Sequence, residues 1–291
     1  MSALGDRVAA APISWGVSEV KGWGVQLTPE QVLAAVRDVG LRATELGPDG
    51  FLGDDPARTL RAHSLTAVAQ FVPVVLHDET IDPMPEFDRA ATTLATVGGS
   101  TLVLAAVTRA EGYDDRPAWS EASWTRALGL LDELTARGAD RGVEVAIHPH
   151  VGTMIESGPE VDRVLAGSRV PLCLDTGHLL IGGTDPLALA REHGDRIAHV
   201  HLKDVRHDLL QQVHSGGLAY STAVERGLYV PLGEGDLDVD AIVETLEQQG
   251  YSGWYVLEQD RVMTSTDPGV ATSDVRTSLL AMERLDQVVR P

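Results

Sequence analysis

Asp175 and His178 close the stretch Pro171-Leu172-Cys173-Leu174-Asp175-Thr176-Gly177-His178, an apolar run too short for a helix that ends in a carboxylate, a Gly turn and an imidazole. The design recurs three times. Val143-Glu144-Val145-Ala146-Ile147-His148-Pro149-His150 lies upstream, Ile197-Ala198-His199-Val200-His201-Leu202-Lys203-Asp204 follows, and Trp254-Tyr255-Val256-Leu257-Glu258-Gln259-Asp260 completes the series. Each run reads as a strand that carries its polar groups to its C-terminal tip. Asp, Glu and His suit a divalent ion of the Mn, Co, Zn or Mg kind, and gathering them is costly unless a cation or a substrate compensates. Alternate side chains of a strand share a face, so His148 and His150 project to one side, as do His199 and His201. His148, Asp175, His201 and Glu258 are the expected metal ligands. Glu45, at the end of a further short run over 43–46, could bind a hydroxyl or move a proton. Lys203, two residues beyond His201, could donate a proton or hydrogen bonds to an oxyanion, and Asp204 could hold the start of the loop that follows.

These tips need elements that bring them to one place. Val8 to Ile13 is the first expected strand, leading through Ser14-Trp15-Gly16 into a Gly- and aromatic-rich segment with Glu19, Lys21, Trp23 and Gln26, which has the character of a binding loop. Thr28-Pro29-Glu30 then starts a helix, with Thr at the cap and Pro at the first position, and Gly40 ends it. Further strands are expected over 43–46, 66–76 with a break at Pro73, 101–107, 143–150, 171–175, 197–203 and 254–259. Helices are expected over 56–63, 86–97, 121–141, 159–166, 186–193, 240–249 and 273–289, with a polar loop over 108–120. The longest connection, about 204–238, contains Tyr220, Tyr229 and Gly233-Glu234-Gly235-Asp236 and reads as an active-site cover. Eight strand-then-helix units predict an α/β fold, a single closed (β/α)8 barrel spanning 1–291, whose catalytic groups sit at the C-terminal ends of the strands. An open doubly wound sheet is the alternative, but no Gly-rich phosphate fingerprint follows the first strand.

Length and composition agree with one barrel: 291 residues, 43% of them hydrophobic. The formal charge of −20 would repel phosphate backbones and anionic membranes, which argues against nucleic acid and membrane partners. Cys173 is the one cysteine, so no disulfide forms within the chain. That fits a reducing cytoplasm, and its leucine neighbours mark the thiol as structural. Met1 to Ala11 lacks the pattern of a secretory leader, and no apolar run reaches ~18 residues. A soluble, cytoplasmic protein is expected, with homo-oligomerisation left open.

The chain resembles the xylose-isomerase-like barrel superfamily of sugar isomerases and epimerases, and within it the inosose dehydratase branch of inositol catabolism. Ala11-Pro12-Ile13-Ser14-Trp15-Gly16, Thr44-Glu45-Leu46-Gly47, His148-Pro149-His150-Val151-Gly152-Thr153, Leu174-Asp175-Thr176-Gly177-His178, the run His199 to Arg206 and Val230-Pro231-Leu232-Gly233-Glu234-Gly235 carry the likeness. The Asp-Thr-Gly-His and His-Val-His segments are common to the superfamily, whereas His-x-His-x-Gly-Thr is the narrower signal for the dehydratase branch. Two positions depart from the pattern. His148 stands where the epimerases generally carry a glutamate at the end of strand five, and Pro149 replaces the middle of the branch's three histidines.

The resemblance implies a metal-dependent loss of water from a cyclic keto-polyol of the 2-keto-myo-inositol type through an enediolate, with Mn or Co as the metal and Zn or Mg as alternatives. It implies Glu258 or His150 as base, Lys203 or Glu45 as acid, and His178, Arg206 and Trp15 as substrate contacts. A keto-sugar or inosose epimerase is the nearest rival, using the same intermediate but returning the proton. A nuclease on the same barrel is opposed by the charge, and a non-catalytic sugar-binding subunit would bind polyols without turnover.

Overall fold

The computed structural model describes residues 4–109 and 112–289. Residues 1–3 of the N-terminal stretch and 110–111 of the polar loop lie outside the described residues. Nine strands form one parallel sheet: β1 Val8–Ala10, β2 Ala43–Thr44, β3 Thr66–Ala67, β4 Ala69–Val74, β5 Thr101–Ala106, β6 Glu144–Ile147, β7 Leu172–Asp175, β8 Ile197–Leu202 and, after the short pair β9 Asp204–Val205 and β10 Tyr229–Val230, β11 Tyr255–Leu257. Their order is β3-β2-β1-β11-β8-β7-β6-β5-β4. Only Val68 separates β3 from β4, the two ends of this order. Its N–H donates to Thr44 O at 3.0 Å and its carbonyl accepts from Ser100 N at 3.0 Å. The ends are therefore successive halves of one strand, and the sheet closes into an eight-position (β/α)8 barrel with helices around it.

The expected break at Pro73 is displaced. Pro73 lies inside β4, opposite Ala105, and the interruption falls at Val68. On its other side β4 bonds only at its start, where Ala69 O accepts from Leu46 N at 3.1 Å, because β2 stops at Thr44; with no strand beside it there, Pro73 can lack an N–H. Several expected strands also end early. β6 stops at Ile147, β2 at Thr44 and β11 at Leu257, so His148, His150, Glu45 and Glu258 stand on the loops just past the strand tips.

Alternate strand residues divide between two clusters, as a pleated strand requires. Leu102, Leu104, Leu172 and Leu174 join the large core beneath the helices. Ala9, Ala43, Ala69, Val103, Ala146, Cys173 and Val256 form a second cluster of small side chains. His199, His201 and Asp175 share the parity of Cys173 on their strands, so this small-residue face is the one that leaves room for them. Burial pushes the Cys173 thiol up to about 11, as expected of a structural cysteine.

Helix starts follow local chemistry. Helix Pro29–Val39 opens with a capping box in which Thr28 Oγ1 accepts from Gln31 N at 3.4 Å and Gln31 Oε1 from Thr28 N at 3.0 Å. It closes on Gly40 at φ 107°, a left-handed conformation that glycine adopts without a Cβ penalty. The last helix, Gly269–Val289, begins earlier than the expected 273. Among the described residues no helix is long and apolar enough to cross a membrane.

The connection over 204–238 is not an unbroken loop. It contains helices His207–His214 and Tyr220–Glu225, and β9 and β10 pair antiparallel, Val205 opposite Tyr229 and Asp204 opposite Val230. Val205, Leu209, Leu210, Tyr220, Leu228 and Tyr229 pack with Trp23 and Val151 in a third apolar cluster. Asp204 is fully buried, and its carboxylate accepts from four backbone N–H groups, those of Val205, Gly233, Gly235 and Leu237, at 2.9–3.1 Å. That carboxylate ties the end of the connection to its beginning. Asp204→Ala removes the acceptor of four backbone N–H groups, one buried and three at least partly open to solvent, and is expected to lower stability by about 3 kcal/mol. Urea denaturation checks the loss, and limited proteolysis should show cleavage concentrated in 204–238.

Candidate active site

Asp175 ends β7 and caps the helix Thr176–Ile181. Its Oδ1 accepts from Gly177 N at 3.0 Å and His178 N at 2.7 Å, which fixes the carboxylate and leaves Oδ2 for other partners. Gly177 is required by space, because a Cβ there would lie 2.7 Å from the Tyr229 ring and 2.8 Å from Lys203 Cβ. Around Asp175 Oδ2 stand Lys203 Nζ at 2.8 Å, His148 Nε2 at 3.2 Å and His201 Nδ1 at 3.5 Å. Glu258 Oε2 lies 3.1 Å from His201 Nδ1 and accepts from Lys203 Nζ. Lys203 Nζ is also 3.3 Å from Asp260 Oδ1. The four residues expected as metal ligands thus meet at one point of the barrel mouth, with Lys203 among them.

Burial pushes the Asp175 carboxyl up, but the Lys203 charge overrides it and holds the group well below its ordinary range. Glu258 is likewise pushed up by burial and drawn down to about 2 by His201 and Lys203. Burial disfavours the Lys203 ammonium, and Asp175, Asp260 and Glu258 more than restore it. Asp260 goes the other way: burial, with Glu258 and Asp175 nearby, raises it to about 6 despite Lys203.

Glu45 follows β2 and is 2% exposed. Its Oε1 receives both His199 Nε2 at 2.8 Å and His201 Nε2 at 2.9 Å. His150 Nδ1 donates to its neighbour's carbonyl, Val151 O, at 2.7 Å, and its ring lies over that of His178 with centroids 3.7 Å apart. Burial, aided by the nearby His148 and the Lys203 charge, lowers His150 to about 3, so its Nε2 is an unprotonated acceptor at neutral pH.

A cleft of about 560 Å³, including its open mouth, lies over these groups. Glu45, His148, His150, Lys203, Glu258 and Asp260 line its polar part, and Pro12, Ile13, Trp23, Phe71 and Tyr113 its apolar wall. An apolar wall with a few converging polar groups is the usual form of a small-molecule site.

Two expected substrate contacts are elsewhere. Trp15 is fully buried, with its Nε1 donating to Thr272 Oγ1 at 3.1 Å, because the segment after β1 turns as a short 3₁₀ helix, Pro12–Trp15, that points the indole into the core. The Arg206 side chain is 44% exposed, pairs with Asp208 at 2.8 Å just after β9, and does not line the cleft. His178 is buried beneath His150, 3.5 Å from Asp260 Oδ2, and is not among the lining residues. Asp260 and Tyr113 line the cleft without having drawn a role from the sequence. The i, i+2 spacing of Glu258 and Asp260 is a readable signal, whereas Tyr113 sits in a polar loop that gives none.

Donor atoms of Asp175, His201 and Glu258 all lie within 4.8 Å of one another, as do those of His148, Asp175 and His178. The buried His201 Nδ1, His148 Nδ1 and His178 Nε2 have no hydrogen-bond partner. Two carboxylate oxygens facing an unsatisfied imidazole nitrogen fit a divalent ion of the Mn, Co or Zn type.

Comparison with known proteins agrees with the architecture. The Xylose isomerase-like TIM barrel family matches residues 25–275. An inosose dehydratase of Geobacillus kaustophilus (strain HTA426) is 32% identical over 97% of this chain and 94% of its own, and the rhizopine catabolism protein MocC of Rhizobium meliloti is 33% identical over 92% and 85%. Among solved structures, the probable 3-DHS dehydratase AsbF of Bacillus anthracis superposes with a TM-score of 0.70 at 14% identity, over 95% of this chain and 98% of that one. The IolI protein with its zinc atom gives 0.70 at 16%, over 98% and 99%. These two share the fold. The chain belongs to the Xylose isomerase-like TIM barrel family.

Proposed function

We propose that the chain is a metal-dependent dehydratase of a cyclic keto-polyol of the 2-keto-myo-inositol type. The observation that carries the reading is the convergence of Asp175 Oδ2, His201 Nδ1 and Glu258 Oε2 under a small-molecule cleft, in a chain whose relatives at about 30% identity are named inosose dehydratase. His148, Asp175, His201 and Glu258 would hold the ion. When bound, a divalent ion supplies Lewis-acid stabilisation of the charge that develops on the ketone oxygen. Glu258 Oε2 accepts from Lys203 and would hold the ion, so His150 Nε2 is the acceptor in the cleft for the proton on the carbon beside the ketone. Lys203, kept as an ammonium by three carboxylates, faces the same cleft and donates to the departing hydroxyl, which leaves as water. The apolar wall shields the proton transfers from bulk water.

The direct test is proton NMR of the Mn- or Co-loaded protein with 2-keto-myo-inositol in deuterated water. Loss of ring signals with appearance of a deoxygenated methylene is expected. Deuterium exchange giving a stereoisomeric ketone and no methylene would make the chain an epimerase instead. Two substitutions separate the roles. Asp175→Asn keeps an oxygen for the helix cap, so the fold should persist while bound metal falls from stoichiometric to undetectable; metal analysis checks this, and a retained equivalent contradicts the ligand set. His150→Gln should leave metal bound and slow solvent proton exchange by about 100-fold or more, and unchanged exchange removes His150 as base.

A further inference from the structure

The Glu45 carboxylate touches two imidazoles through one oxygen, that of the proposed ligand His201 and that of His199. Glu45 Oε1 is 2.8 Å from His199 Nε2 and 2.9 Å from His201 Nε2. An ionised carboxylate only accepts, so both Nε2 atoms carry the protons in these contacts. That assignment leaves Nδ1 of His201 as the nitrogen turned toward Glu258 at 3.1 Å and Asp175 at 3.5 Å, and it is this atom that has no hydrogen-bond partner. The two histidine rings lie 5.2 Å apart at 81°, so one oxygen bridges them from the side while the rings hold each other at a fixed angle. Glu45, His199 and His201 are each 2% exposed or less, which shields the contacts from bulk solvent.

We infer that Glu45 is a positioning residue and not a proton donor: anchored by His199, it fixes the ring orientation and tautomer of His201 so that Nδ1, and not Nε2, faces the metal centre. The inference rests on the metal-binding reading above. A carboxylate that takes the second N–H of a ligating histidine orients the ring and raises its basicity, and losing such a partner commonly weakens metal binding roughly 10- to 100-fold. The same three residues could instead hold a second ion. The spacing favours hydrogen bonds, because Oε1 already meets both nitrogens at ordinary hydrogen-bond distance.

The test compares wild type, Glu45→Ala and Glu45→Gln by zinc titration against a chelator and by proton–nitrogen NMR of the imidazoles, with and without zinc. Wild type should bind one zinc and show hydrogen-bonded Nε2–H signals for His199 and His201. Glu45→Ala should lose those signals and bind zinc roughly 10- to 100-fold more weakly. Glu45→Gln keeps an oxygen that accepts two N–H groups and should recover most of the affinity and both signals, which a role in proton donation or charge alone would not allow. Wild-type affinity and unchanged His201 signals in Glu45→Ala overturn the inference, as does a second zinc that removes the Nε2–H signals. Zinc failing to bind wild type defeats the metal reading of the site. The Nε2–H signals of the zinc-free proteins still decide the positioning role, which stands if Glu45→Ala alone loses them and falls if it keeps them.

Discussion

Asp175 divides its two oxygens between structure and chemistry, and the mouth of the barrel depends on that division. Oδ1 caps the helix after β7 through two backbone N–H groups, which fixes the carboxylate without using the face turned to the site. Oδ2 then sits among Lys203, His148 and His201. Placing Asp175, Glu258 and Asp260 together out of water is costly, and Lys203, with His201 beside Glu258, supplies positive charge that makes it tolerable in the metal-free chain. A divalent ion would add further compensating charge. Burial pushes all three carboxyls up, but the charges of Lys203 and His201 draw Asp175 and Glu258 back down while Asp260 stays raised, so carboxylates of similar chemistry sit in different states.

The support for this cluster comes from two directions. Below, small side chains such as Ala9, Ala43, Ala146 and Cys173 fill the inner face of the strands, leaving width for His199, His201 and Glu45. Above, the connection after β8 folds back as β9, two short helices and β10, and the buried Asp204 carboxylate gathers its return through four N–H groups. That return brings Tyr229 against Gly177 and Tyr220 to Asp260 Oδ2 at 3.0 Å. Lys203 and Asp204 are adjacent, so one short segment holds the lysine of the cluster and the anchor of the connection that folds back over 204–238.

Much of this was legible in the sequence because a parallel barrel places strand ends on one face by topology. Once Asp175, His201 and Glu258 are assigned to strand tips, their meeting follows without knowledge of any distance. His150 and Lys203 reach the cleft for the same reason. Periodicity could not supply what lies beyond the strands. Trp15 was expected as a substrate contact from the resemblance, but a 3₁₀ turn at Pro12–Trp15 sends it inward. Arg206 followed the ligand run in sequence, but just after β9 it lies at the surface and pairs with Asp208. Pro73 was a reasonable place for a strand to break, but β4 has an edge that needs no N–H there. The contact of Glu45 with two histidines spans more than 150 residues, and only the closed barrel makes it.

Asp175, His201, Glu258 and His148 are proposed to hold one divalent ion at the barrel mouth. Anomalous diffraction from crystals grown with Mn²⁺ tests it directly. A single anomalous peak is expected among Asp175 Oδ2, His201 Nδ1, Glu258 Oε2 and His148 Nε2, with Glu45 still hydrogen-bonded to the far nitrogen of His201. A peak between Glu45 and His199, or none at the mouth of a crystal that holds manganese elsewhere, would contradict the account.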